Sequence, residues 1–326
     1  MDNKIQLVPT IKDDLKDNSC WCASFNLVWN KFQNEILQND FSCFNDTKIT
    51  QNLIATSQYK LILDDDLSIV EAGRANSQFK EKLINLLKEK FNEDSDILNN
   101  IDFSSNNLLL YSMIKCSLEF ENEYQKYNDR KFARFDKNIN FFGFDSNNIK
   151  YNDQILPLFY LDENDFAVCL YTTTNQSIIL YRTNENANFE KTFISLYQKL
   201  EEFSKRECDL SINSFFAPSF NINIKQNYEE LCGQSFLRNT DNETFEIASA
   251  LQTLNIEVNE SGAKVKSEAE LMVKETAFFG PRKERKTISK DFIFDDSYYM
   301  FIIDENSPDL DCPFVAVKIH DIENFI

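Results

Sequence analysis

Between Ile256 and Glu270 the sequence IEVNESGAKVKSEAE alternates twice across one glycine. Ile256 and Val258 alternate with Asn255, Glu257 and Asn259, the period-2 pattern of a half-buried strand. Beyond Gly262 the alternation returns. Ala263, Val265, Ser267 and Ala269 are small, while Lys264, Lys266, Glu268 and Glu270 are charged. The chain has only five glycines in 326 residues, where ordinary usage is about 7%. A glycine placed between two alternating runs marks a backbone that must pivot. The rest of the chain must then supply a sheet able to take the second run, small side chains inward. Shortly downstream, Pro281–Lys286 reads PRKERK, an exposed basic loop.

The remaining patterns provide such a sheet. Leu108–Ile114 (LLLYSMI) is a continuous apolar run of strand length, suited to a strand covered on both faces. Strands are expected at 166–171 and 177–182, joined by a turn through 173–176, then at 209–216, 220–224, 298–303 and 314–319. A short strand at 59–63 precedes Asp64-Asp65-Asp66, which reads as a turn. The spacing of Trp21, Phe25, Val28, Phe32 and Ile36 predicts a helix over 19–37. Phe79, Leu83, Leu86, Leu87 and Phe91 predict another over 78–91, and Phe189, Phe193, Leu196, Leu200 and Phe203 a third. A short helix is expected near 228–232, and a helix or turn at Thr244 leading into the strand that reaches Val258. With no regular βαβ spacing, no linker and no repeat, the expectation is one α+β domain over 1–326 with a large sheet.

Charge and residue chemistry narrow the function classes. Lys and Arg number 34 against 53 Asp and Glu, a net charge of −19, which disfavours nucleic acid and anionic membrane as partners. No apolar stretch approaches the length of a membrane span. Met1–Thr10 lacks the pattern of a signal peptide, so a cytoplasmic location is expected, with an extracellular one as the alternative. The eight cysteines show neither C-x-x-C nor zinc spacing. No phosphate-binding glycine loop or calcium loop is present, and no cofactor or metal is expected. A single histidine, His320, removes most histidine-dependent catalysis.

Several segments resemble the serpin family. Val258-Asn259-Glu260-Ser261-Gly262-Ala263 resembles the hinge that opens the serpin reactive-centre loop, V-N-E-E-G-T. Asp291–Asp304 (DFIFDDSYYMFIID) is similar to the family's F-x-A-D-H-P-F-L-F-x-I-x-D, with Phe292, Asp295, Ile302 and Asp304 matching. Pro218–Ile222 resembles P-K-F-x-I. Leu108–Phe120 resembles the central strand L-V-N-A-I-Y-F-K-G-x-W, with Ser112 for Asn and Phe120 for Trp. Order and spacing agree from about residue 105 to 326; the shorter N-terminal third matches loosely.

The resemblance implies a large main sheet, two smaller sheets, surrounding helices and an exposed loop over about 260–290. It implies a monomeric inhibitor of serine or cysteine endopeptidases, not an enzyme. Its loop is cleaved and then inserts as a new strand of the main sheet, the fold being metastable. Glu260, Gly262, Ala263, Val265, Ser267 and Ala269 would be the hinge and insertion residues. Family spacing puts the bait bond at Thr276-Ala277, with Arg282 as an alternative. The charged outward residues depart from the usual alanine run, so a non-inhibitory serpin-fold binding or structural protein is the alternative. A third reading comes from Ser19-Cys20-Trp21, which resembles the nucleophile segment of papain-like peptidases. There Cys20 would open a helix whose dipole activates the thiol.

Overall fold

The computed structural model describes residues 5–36, 47–56, 67–92, 94–95, 97–104, 107–133, 135–146, 149–206, 208–238, 243–265, 286–305 and 312–326. Two short strands lead, β1 (Gln6–Val8) and β2 (Ser19–Cys22), paired in parallel from Gln6↔Ser19 to Val8↔Trp21. The helix expected from residue 19 therefore begins later, as α1 (Ser24–Lys31), and ends in a π-helical turn at Phe32–Ile36. The cause is tertiary. β2 is also bonded to the last strand of the chain, and all four of its residues are buried. A strand buried on both faces carries no alternation, so SCWC passes for the start of the helical pattern beyond it.

α2 (Lys48–Thr56) and β3 (Ser68–Arg74) follow; the strand expected at 59–63 and the turn at 64–66 lie outside the described residues. α3 (Ser77–Phe91) buries Phe79, Leu83, Leu87 and Phe91. Asn76 starts it by accepting a hydrogen bond from the Phe79 N–H at 2.9 Å, and Asn92 ends it at φ 49°, a left-handed position that asparagine tolerates. Next come β4 (Leu108–Ile114), β5 (Cys116–Glu119), β6 (Gln125–Phe132), β7 (Phe135–Phe144) and β8 (Ile155–Asp162). β9 (Asp165–Tyr171) and β10 (Gln176–Arg182) precede α4 (Phe189–Ser204), which Asn188 caps through the Lys191 N–H.

β11 (Cys208–Pro218) and β12 (Phe220–Asn227) lead to a 3-10 turn at Glu229–Leu231. A hairpin of β13 (Ser235–Arg238) and β14 (Glu243–Glu246) then stands where the sequence predicts a helix or turn, its register running from Ser235↔Glu246 to Arg238↔Glu243. The chain closes with β15 (Leu251–Asn259), β16 (Gly262–Val265), β17 (Lys286–Ile293), β18 (Tyr298–Asp304) and β19 (Val315–Ile319). Lys286, read as loop, is the first residue of β17 and pairs with Cys208 of β11. Of the basic run, 281–285 lie outside the described residues.

These strands form a seven-stranded sheet in the order β1-β2-β19-β18-β10-β9-β8 and two four-stranded sheets, β17-β11-β7-β6 and β12-β15-β16-β5. β13-β14 and β3-β4 are further pairs. β5 follows β4 after the single residue Lys115, so the β3-β4 pair continues the sheet that ends in β5. The largest core lies on the seven-stranded sheet, where every residue of β18 and β19 is buried. α4 covers it with Phe189 and Phe193, set edge-on to Phe301 at ring-centre distances of 6.5 and 5.0 Å. No disulfide joins the cysteines among the described residues.

A polar cluster fastens α4 to that sheet. The Lys199 ammonium lies 2.7 Å from Asp165 and from Glu185 and donates to the Tyr181 hydroxyl at 2.8 Å. Burial alone would lower the Lys199 pKa, but its hydrogen bonds, Asp165 first, hold it above its usual value. Burial pushes the Asp165 carboxyl up. Replacing Lys199 by Met strands two carboxylates beside the core. Glu185 is partly solvated, so the expected loss of stability is about 2 kcal/mol, below that for a fully buried pair. Urea unfolding of the Lys199→Met protein measures it; an unchanged midpoint would show that the cluster contributes nothing.

Candidate functional site

The double alternation across Gly262 folds into a tight hairpin inside a sheet. On β15, Leu254, Ile256 and Val258 are buried and Asn255 and Glu257 exposed. The chain turns at Glu260-Ser261 and returns as β16, pairing Asn259↔Gly262, Val258↔Ala263 and Glu257↔Lys264. On its other side β16 pairs with β5: Gly262↔Glu119, Ala263↔Leu118, Lys264↔Ser117 and Val265↔Cys116. β16 is thus an interior strand with a ladder on each side. Ala263 is fully buried and Lys264 exposed, so the small residue faces the core and the charged one faces solvent.

Five contacts hold the turn. The Asn259 side chain accepts from the Ser261 N–H at 2.9 Å. The Phe120 N–H donates to the Ser261 carbonyl at 2.9 Å and the Tyr124 N–H to the Glu260 carbonyl at 3.0 Å. The Ser261 hydroxyl donates to Glu123 at 2.9 Å, and the Lys126 ammonium pairs with Glu260. Gly262 has φ +143°, and a Cβ placed there would lie 1.8 Å from the Leu118 carbonyl oxygen. Two backbones meet at that point with no room for a side chain, so the need for glycine is steric as well as conformational.

Beneath β16 the sheet is open. A cavity of about 1060 Å³ lies between β4 and β15, lined by Leu108–Ile114 on one wall and Glu246–Asn255 on the other. Phe25, Trp29 and Phe32 of α1 also line it. Among the described residues no ladder joins β4 to β15. Both faces of β4 are covered. Tyr111 packs with Phe79, Leu83 and Leu87 of α3, and Leu108 and Leu110 pack with Phe25 and Trp29. The cavity is therefore a slot between two strands of the sheet, β4 following β5 and β15 flanking β16.

Other candidate residues fall elsewhere. Ser267, Ala269, Thr276, Ala277 and Arg282 lie outside the described residues. Cys20 sits in the middle of β2, fully buried and opposite Val317 of β19, not at a helix start. Burial pushes its thiol pKa up, the reverse of what a nucleophile needs, because the strand shields it from water and from any helix dipole. His320 follows β19, with its Nδ1 2.7 Å from the Ser297 hydroxyl. Among the described residues no group of acidic, cysteine or histidine side chains is arranged to hold a metal ion.

The fold as a whole recurs in solved structures. The chain superposes on native protease nexin-1 in complex with heparin with a TM-score of 0.50, over 94% of this chain and 93% of that one, at 12% identity. The chain has the serpin fold. Similarity extends to Tengpin, a thermophilic serpin in its native state (17% identity, 95% of this chain and 90% of that one, TM-score 0.49). It also extends to human thyroxine-binding globulin in complex with thyroxine (10% identity, 94% and 92%, TM-score 0.46). No family model and no curated protein matches the sequence. In this serpin fold Cys20 lies within a strand and α1 begins only at Ser24, so the helix start expected for a cysteine-peptidase nucleophile is not formed there.

Gly262→Ala tests the hinge geometry. The contact with Leu118 must open, at a cost of about 1–3 kcal/mol. The expected result is faster hydrogen exchange confined to the amides of 262–265 and 116–119. Unchanged protection there would show that the hairpin accommodates a Cβ.

Proposed function

We propose that this serpin-fold protein inhibits serine or cysteine endopeptidases by offering its loop for cleavage and then drawing the cleaved strand into the slot. The observation that carries this reading is β16 itself. The first residues of the loop already sit between β15 and β5, and among the described residues no ladder joins the next stretch of the two walls, β4 and β15. If an inserted strand keeps this register, residues 266–273 would come opposite 108–115 on one wall and 248–255 on the other. The side chains in line with buried Ala263 are then Val265, Ser267, Ala269, Leu271 and Val273, all small or apolar. Those in line with exposed Lys264 include Lys266, Glu268 and Glu270. In that register the charged residues would come opposite Lys115, Met113 and Tyr111, on the face that α3 covers, so their departure from an alanine run bears directly on how fast the strand can insert.

The chemistry assigned to the target is ordinary peptide cleavage. Its nucleophile attacks the Thr276 carbonyl, the Thr276-Ala277 amide breaks, and Ala277 leaves with a new amino terminus. Thr276 remains as an ester, or as a thioester on a cysteine protease. Insertion of 266 onward then moves that acyl bond away from its starting point before water can complete hydrolysis. Inhibition is therefore a race, decided by how quickly the slot fills.

Incubation with a panel of serine and cysteine proteases, read on denaturing gels, tests the reading. An enzyme preferring small residues is expected to form a complex stable to denaturation, and Thr276→Arg to shift the preference toward a trypsin-like enzyme. Clean loop cleavage with full protease activity throughout would instead make the protein a non-inhibitory serpin-fold module.

A further inference from the structure

The slot between β4 and β15 has the makings of a pocket as well as a gap. Its volume is about 1060 Å³, the size of the larger small-molecule sites, which run to roughly 1,000 Å³. Its floor is aromatic. Phe25, Trp29 and Phe32 of α1 line it, the last two with ring centres 5.7 Å apart. On the α3 side Ile101 and Met113 line it. Leu108, Leu109 and Leu110 of β4 also line it and remain only half-buried.

Charge is confined to the rim. The charged side chains on its wall are Arg74, Asp102 and Glu246, and all three are exposed. The Asp102 carboxylate is already bonded to the Ser104 N–H and hydroxyl. An ion drawn into the interior would lose its hydration and gain no counter-charge, so the interior suits a neutral molecule.

The buried polar groups of the wall are engaged at one point and open at another. Gln252, 3% exposed, donates to the Cys22 carbonyl at 3.0 Å and to Ser24 Oγ at 2.8 Å. It accepts from the Tyr228 hydroxyl at 2.6 Å. Ser112 of β4 also lines the slot, and its hydroxyl oxygen is buried with no hydrogen-bond partner among the described residues. Along β4, Leu108 and Leu110 pack toward α1. Alternation sends Ser112 the same way, over the aromatic floor. A buried hydroxyl left unpaired is costly, and one acceptor on a bound molecule would satisfy it.

We infer that the slot of the uncut protein binds a small neutral amphipath: an apolar ring-and-chain body against Phe25, Trp29 and Phe32, with one hydroxyl or carbonyl oxygen accepting from Ser112. The inference goes beyond the inhibitory reading and does not rest on it, since it concerns the protein before any cleavage and uses only the walls of the slot.

Isothermal titration calorimetry of the uncut protein with para-heptylphenol, a neutral probe of this shape, tests it. Para-heptylbenzoate, with the same body and a negative charge, is the control. Saturable one-to-one binding of the phenol is expected, with the benzoate at least about tenfold weaker. Ser112→Ala should weaken the phenol about tenfold, the loss of one hydrogen bond. Leu110→Trp, which sets an indole in the slot, should abolish binding; if it fails to fold, Ser112→Ala carries the comparison. Absence of saturable phenol binding would overturn the inference. So would equal binding of the benzoate, or undiminished affinity in Ser112→Ala. None of these results bears on loop insertion, which is read on the cleaved protein.

Discussion

A folded protein seldom leaves two facing strands without a ladder between them, yet among the described residues none joins β4 to β15. Those facing edges are the constraint on which the remaining features depend. Above the slot, β16 satisfies both edges at once and shows what the lower part lacks. α1 and α3 close the two faces, so the slot is sheltered from water while staying open to one more strand.

The hinge works because two opposite requirements meet at adjacent residues. Glu260 and Ser261 are held by backbone donors from Phe120 and Tyr124, which fix the turn in place. Gly262, pressed against the Leu118 carbonyl, lets β16 enter between strands with no side chain in the way. A firm turn beside a residue without a Cβ gives a pivot whose far arm can lengthen while its near end stays put. The Lys199 cluster and the aromatic layer under α4 belong to the other sheet, which supplies the fixed frame.

Much of this was legible in the chain because it is written in local periodicity. The face of α3, the apolar runs of β4, β18 and β19, and the inward Ala263 beside outward Lys264 all follow from spacing. β2 escaped because burial on both faces removes alternation, and its cysteines and tryptophan merge with the pattern of α1. β6, QKYNDRKF, escaped because an edge strand that is mostly exposed has little apolar signal. The slot was invisible for a deeper reason. Its walls are strands about 140 residues apart in the sequence, and what defines it is a bond they do not form.

The register of β16 also fixes a length. A strand advances about 3.3 Å per residue, so the insertion proposed above, from Lys266 to Val273, would be a stroke of roughly 26 Å along the sheet. With the turn at Glu260-Ser261 tied to Phe120 and Tyr124, the whole of that stroke would fall at the free end. Its size is set by the distance between Lys115 and the start of β4, not by the loop's sequence. Substitutions in the loop can thus alter what grips the free end and how soon it moves, while the travel itself stays a property of the two walls.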